Sequence, residues 1–113
     1  MKRLNISSGS QYEKPIGFSR AVRIGNIIAV AGTAPLAPDG TTDHPNDLYN
    51  QTKRCLEIMK KAITDAGGEL ENVIRTRIFL KNISDWEKAA NAHGECFSEI
   101  RSDLASTPAK EMI

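Results

Sequence analysis

The segments Phe18-Ser19-Arg20-Ala21-Val22-Arg23-Ile24 and Ile27-Ile28-Ala29-Val30-Ala31-Gly32 are separated only by Gly25-Asn26. The first alternates along Phe18 to Arg23, the second is a β-rich apolar run, and the pair between them is a turn-forming one, so the stretch predicts a β-hairpin. On its amino-terminal side, Lys2 to Ile6 reads as a short first strand, followed by a loop punctuated by Ser7-Ser8-Gly9-Ser10 and Pro15-Ile16-Gly17. On its other side, Pro35-Leu36-Ala37-Pro38-Asp39-Gly40 carries two prolines and an Asp-Gly pair and should leave the sheet as a loop.

From Pro45 the periodicity changes. Leu48, Thr52, Cys55, Met59, Ala62 or Ile63, and Ala66 recur every three or four residues, and Gly67-Gly68 supplies a left-handed stop. This predicts a helix of about six turns with one buried stripe. Within Leu70 to Leu80 the pattern returns to a strand, with Ile74, Thr76, Ile78 and Leu80 on one face and Arg75, Arg77 and Phe79 on the other. Ser84-Asp85-Trp86-Glu87 reads as a capping box opening a second helix, whose apolar stripe is Trp86, Ala89 or Ala90, His93, Cys96 or Phe97, and Ile100.

The order strand, hairpin, helix, strand, helix predicts an α+β fold with both long helices packed on one face of a sheet, because each helix has a single apolar side. The opposite face would then expose an apolar patch, and self-association is the economical cover for it. After Arg101 no clear period remains; either that tail provides a further strand or the sheet is left short. No internal repeat or low-complexity tract divides the chain, so residues 1–113 are expected to form a single domain.

Composition narrows the function classes. At 113 residues the chain supports one core and buries about two-thirds of its unfolded surface. Fifteen basic against fourteen acidic residues leave a net charge of +1, which gives no pull toward nucleic acid or an anionic membrane. No apolar run approaches the ~18 residues of a membrane span, and the basic start Met1-Lys2-Arg3 lacks the apolar region of a signal peptide. The expected location is the cytoplasm, with Cys55 and Cys96 as reduced core residues of the helices.

His44 and His93 are widely separated and form no pair at metal-ligand spacing; His93, on an apolar stripe, reads as a core histidine. Neither of the usual glycine-rich phosphate cradles is present, so nucleotide binding is not supported. No Gly-x-Ser-x-Gly elbow occurs, and both cysteines sit inside predicted helices, away from an electropositive helix start. Arg75 and Arg77 remain: they either grip an acidic small molecule or pair with acids of a neighbouring subunit, since both roles need the same desolvated geometry.

The segment Phe18 to Asn26, followed by Val30-Ala31-Gly32-Thr33-Ala34-Pro35, resembles the opening of the YjgF/RidA family, also labelled endoribonuclease L-PSP. Gln51-Thr52, Cys55-Leu56, Ala66-Gly67, and Val73 through Leu80 leading to Asp85-Trp86 continue the resemblance in order and spacing, over roughly residues 1 to 101. It implies a chorismate mutase-like α+β fold and a homotrimer with a ligand cleft at each subunit interface. It also implies cofactor-free hydrolysis of enamines and imines such as 2-aminoacrylate to a keto acid and ammonia. In that mechanism an arginine of a Pro-Ala-Arg-Ser segment grips the substrate carboxylate and a glutamate near the carboxy terminus positions water.

Carried over residue by residue, Gly32 matches the glycine of the family's Ser-Gly pair, with Ala31 in place of the serine. Phe18 stands for a tyrosine and Ala90 for an asparagine, so three polar contacts become apolar. Pro108-Ala109 is followed by Lys110, which either substitutes for the arginine without its two-pronged fork or is an ordinary solvated lysine. A second alignment ends at Arg101 and gives Lys110 no role; on either, the family's water-positioning acid would fall beyond Ile113. The expected site is therefore Lys110 as the catalytic candidate, with Phe18, Gly32, Thr33, Arg75 and Arg77 binding a small carboxylate-bearing metabolite. A non-catalytic metabolite binder is the competing function, and a ribonuclease or translation inhibitor, the family's other label, is third.

Overall fold

The computed structural model describes residues 2–98 and the short strand Ala105–Ser106. Strand β1 (Arg3–Ile6) leads through the one-turn helix α1 (Glu13–Ile16) into β2 (Ala21–Ile24) and β3 (Ile27–Val30). The three strands form an antiparallel sheet in the order β1-β2-β3. Ile24 pairs with Ile27 across the tight Gly25-Asn26 turn, as the sequence predicts. Arg20 extends both ladders by one bond, donating its backbone N–H to Ile6 and accepting from Ala31.

The long helix α2 runs from Leu48 to Asp65, starting later than Pro45. His44 and Asn46, on either side of that proline, have φ of 46° and 62°, a left-handed conformation that cannot continue a helix. Asp47 instead caps the first turn, accepting from the Asn50 backbone N–H. At the far end Gly67 adopts φ 85°. There Arg23 Nη1 donates to the Ala66 carbonyl at 2.8 Å, placing a cation where the helix dipole is negative. Gly68 lets the turn press onto β3, for a Cβ there would lie 2.7 Å from Ile28 Cδ1 and 3.1 Å from Ile63 Cγ2.

The predicted strand within 70–80 is mostly replaced by a 3-10 turn at Leu70–Asn72 and a two-residue strand β4 (Arg75–Thr76), which pairs in parallel with β5 (Ala105–Ser106). The tail therefore does supply a strand. From Thr76 onward the expected alternation holds, with Arg77 and Phe79 exposed, but Ile74 is 75% exposed and does not share the buried face of Thr76.

Helix α3 spans Trp86–Phe97. The expected capping box does not form. A 3-10 turn at Ile83–Asp85 makes Asp85 the N-cap, without a side-chain cap, and the Ser84 hydroxyl donates to Asn82 Oδ1. Trp86, expected in the apolar stripe, is exposed, while Ala89, Ala92 and Phe97 are buried. Helix α3 packs on α2, and α2 packs on β3. The core they enclose is made of small residues, Ala21, Ala62, Ala66, Ala89 and Ala92, with Ile63 and Phe97. No described helix is long and apolar enough to cross a membrane.

Candidate functional site

The hairpin and α2 form two walls of a cleft of about 610 Å³. Phe18, Arg20 and Gly32 come from the hairpin side, Arg54, Ile58 and Ala62 from α2, and the segments Ser7–Tyr12 and Leu36–Gly40 close the rim. The Ser7–Tyr12 rim is held by Glu13, a buried carboxylate that accepts from Ser8 N, Ser8 Oγ and Ser10 N at 3.0, 2.9 and 3.2 Å. Burial pushes this carboxyl up, but the hydrogen bonds from Ser8, Ser7 and Ser10 together outweigh it and leave Glu13 below the usual carboxylate range. The opposite rim is tied to α2 by Arg54, whose Nε donates to the Leu36 carbonyl at 2.8 Å.

Arg20 is the central charge. It is only 6% exposed. Its Nη1 donates to the Gly32 carbonyl at 2.9 Å and to Thr33 Oγ1 at 2.8 Å, and its guanidinium carbon lies 5.1 Å from the centre of the Phe18 ring. The Thr33 hydroxyl in turn donates a hydrogen bond to Ala31 O at 2.9 Å. Arg20 therefore fixes the exit of the hairpin around Gly32, where an added Cβ would meet no atom within 4 Å and the backbone faces open cleft.

Of the residues expected from the sequence, Phe18 and Gly32 line the cleft and Thr33 stands behind it through Arg20. Arg75 and Arg77 are exposed and lie outside its lining. Lys110 lies outside the described residues. Arg20, Arg54 and Glu13 were not expected at the site. The signal for Arg20 was a charged residue inside an alternating, half-buried strand segment.

Behind the cleft the Cys55 thiol donates to Thr33 O at 3.4 Å, and burial pushes its pKa up to about 11, so it is a protonated thiol and a poor nucleophile. His93 is hydrogen-bonded through Nε2 to Thr76 Oγ1 at 2.8 Å and tilts against Phe97; it is satisfied, as expected, but half-buried rather than in the core. No three His, Cys, Asp or Glu side chains among the described residues gather in a metal-binding group.

A small α+β domain with a cleft between an amino-terminal hairpin and the first long helix is the class these features define. The family described as Endoribonuclease L-PSP matches residues 11–113, and the chain belongs to it, that is, to the YjgF/RidA family. A RutC family protein of Pyrococcus abyssi is 37% identical over 78% of this chain and 70% of its own length. The crystal structure of Rv2704 from Mycobacterium tuberculosis, a member of the YjgF/YER057c/UK114 family, superposes with a TM-score of 0.79 at 37% identity, covering 93% of this chain and 81% of that one. The 3-aminoacrylate deaminase RutC of Acinetobacter baylyi is 33% identical over 72% of this chain and 64% of its own length. The fold is thus the chorismate mutase-like α+β fold that the resemblance implies.

Proposed function

We propose that this protein is a cytoplasmic, cofactor-free deaminase of small enamines and imines that bear a carboxylate, working as a homotrimer. The observation that carries this reading is the cleft itself, lined by Gly32, which matches the family's glycine, and by Phe18, which replaces its tyrosine, and centred on a buried cation. The likeness to a relative named 3-aminoacrylate deaminase supports the same substrate class. In the reaction water adds to the C=N carbon of the imine, the C–N bond breaks, and ammonia leaves with its electron pair while the carbonyl of a keto acid forms. Exposed Ile74, Phe79 and Ile27, each more than 70% accessible, support an assembly that covers them. Two free cysteines fit a reducing compartment.

The test is keto-acid release from freshly generated 2-aminoacrylate, with semicarbazide trapping the imine that remains. Release faster than in protein-free buffer is the expected result; a folded protein that leaves the rate unchanged removes the deaminase reading. One observation favours a second reading, a non-catalytic metabolite binder. Among the described residues, the carboxylates lining the cleft are all engaged: Asp39 accepts from Thr41, Glu57 faces Arg54 at 3.5 Å, and Asp65 holds Lys61 at 2.7 Å. None is thereby freed to act as a general base. A keto acid that raises the melting temperature without any imine turnover would establish the binder in place of the enzyme.

A further inference from the structure

We propose that Arg20 is the anion anchor of the cleft, its buried guanidinium receiving the carboxylate of the small ligand beside the bare backbone of Gly32. This deepens the proposed function and rests on the reading of the cleft as a carboxylate-metabolite site.

Three observations converge. Arg20 is more than nine-tenths buried, yet no carboxylate of the described residues lies within the 4.0 Å that would make an ion pair with it. Its Nε is a buried donor with no hydrogen-bond acceptor among the described residues, while Nη1 already serves two neutral oxygens. Two of the acids lining the cleft face other cations, Glu57 facing Arg54 at 3.5 Å and Asp65 facing Lys61 at 2.7 Å. A guanidinium cannot escape the cost of burial by losing its proton, so its charge persists in a site with too few acceptors. The Phe18 ring and the Gly32 carbonyl compensate it only in part.

An incoming carboxylate completes this arrangement. It supplies the missing negative charge and an acceptor for Nε, and a charge-assisted bond of that kind is among the strongest a small ligand can make. Gly32 leaves room for it, because no side chain occupies the cleft at that point. The anchor would then come from the hairpin, independent of the tail segment containing Lys110.

Pyruvate, with the isosteric neutral pyruvamide as control, is the probe. In the wild-type protein the side-chain Nε–H resonance of Arg20, assigned through its own side-chain carbons, should move on titration with pyruvate and stay in place with pyruvamide. Arg20→Gln should weaken pyruvate binding about 30-fold, the scale of one charge-assisted hydrogen bond, and Arg20→Lys should recover part of the loss. A stationary Nε–H resonance at pyruvate saturation overturns the proposal, as does wild-type affinity in Arg20→Gln. In both cases continued keto-acid release by the wild type keeps the deaminase reading intact. Should Arg20→Gln fail to fold, the resonance measured in the wild type decides alone. A wild-type protein that neither binds pyruvate nor releases keto acid removes the anchor and the deaminase reading together.

Discussion

The layer between α2 and α3 and the ribbon around β4 spend their side chains in opposite ways. Between the helices the buried residues are mainly alanines, with Phe97 a large aromatic among them, and among the described residues no large side chain is less than 2% exposed. Around β4 the large apolar groups turn outward, with Ile74 and Phe79 each 75% exposed. Small residues let helices approach closely but bury little apolar area per residue, whereas Ile and Phe carry the larger transfer free energy. The chain thus keeps its tightest packing inside and leaves much of its hydrophobic driving force on a surface that another copy can cover.

The most severe way to break that contrast is to place charges on the outward ribbon. Ile74→Asp with Phe79→Asp should convert the proposed trimer to monomer in sedimentation equilibrium, since burying each such side chain contributes about 1.5–3 kcal/mol. A double variant that keeps its assembly, or a wild type that already sediments as a monomer, would show that this face covers nothing. A smaller effect tests the helix layer. Ala89, fully buried on α3, has no room for growth, so Ala89→Leu should cost about 1–3 kcal/mol by overpacking and lower the melting temperature without changing the state of assembly.

The smallest effect separates the two regions by pH. His93 on α3 reaches Thr76 on β4, and burial holds its pKa below the ordinary 6.5. The unfolded chain takes up the proton first, so the stability tied to neutral His93 is complete above about pH 6.5 and is lost as pH falls through the folded value. Urea midpoints at pH 7.5 and 5.5 should fall further in the wild type than in His93→Gln; equal falls would mean that the link between helix and ribbon does not depend on this imidazole.

The hairpin, the α2 stripe and the Gly67 stop were legible because each is written locally, in a turn pair, a period of 3.6 and a residue free to take positive φ. The helix starts were less so. Ser84-x-x-Glu87 has the letters of a capping box, but the 3-10 turn at Ile83–Asp85 places Ser84 one residue before the cap. Pro45 was displaced by left-handed neighbours whose conformation no periodicity encodes. At the site, the positions of Phe18 and Gly32 could be carried over from a resemblance, but Arg20 offered only the weak signal of a charge in an alternating segment. Its importance depends on meeting Gly32 and Thr33, 12 and 13 residues further on, and on the acids of α2 being occupied.

The Arg23 bond to the Ala66 carbonyl joins residues 43 positions apart, outside the lining of the cleft. It works as a hinge pin. With β2 fixed to the end of α2, and Gly68 seating that end on Ile28, the two walls of the cleft are tied together from behind. Substitutions in the turn after α2, which lie outside the lining of the cleft, should therefore alter its width.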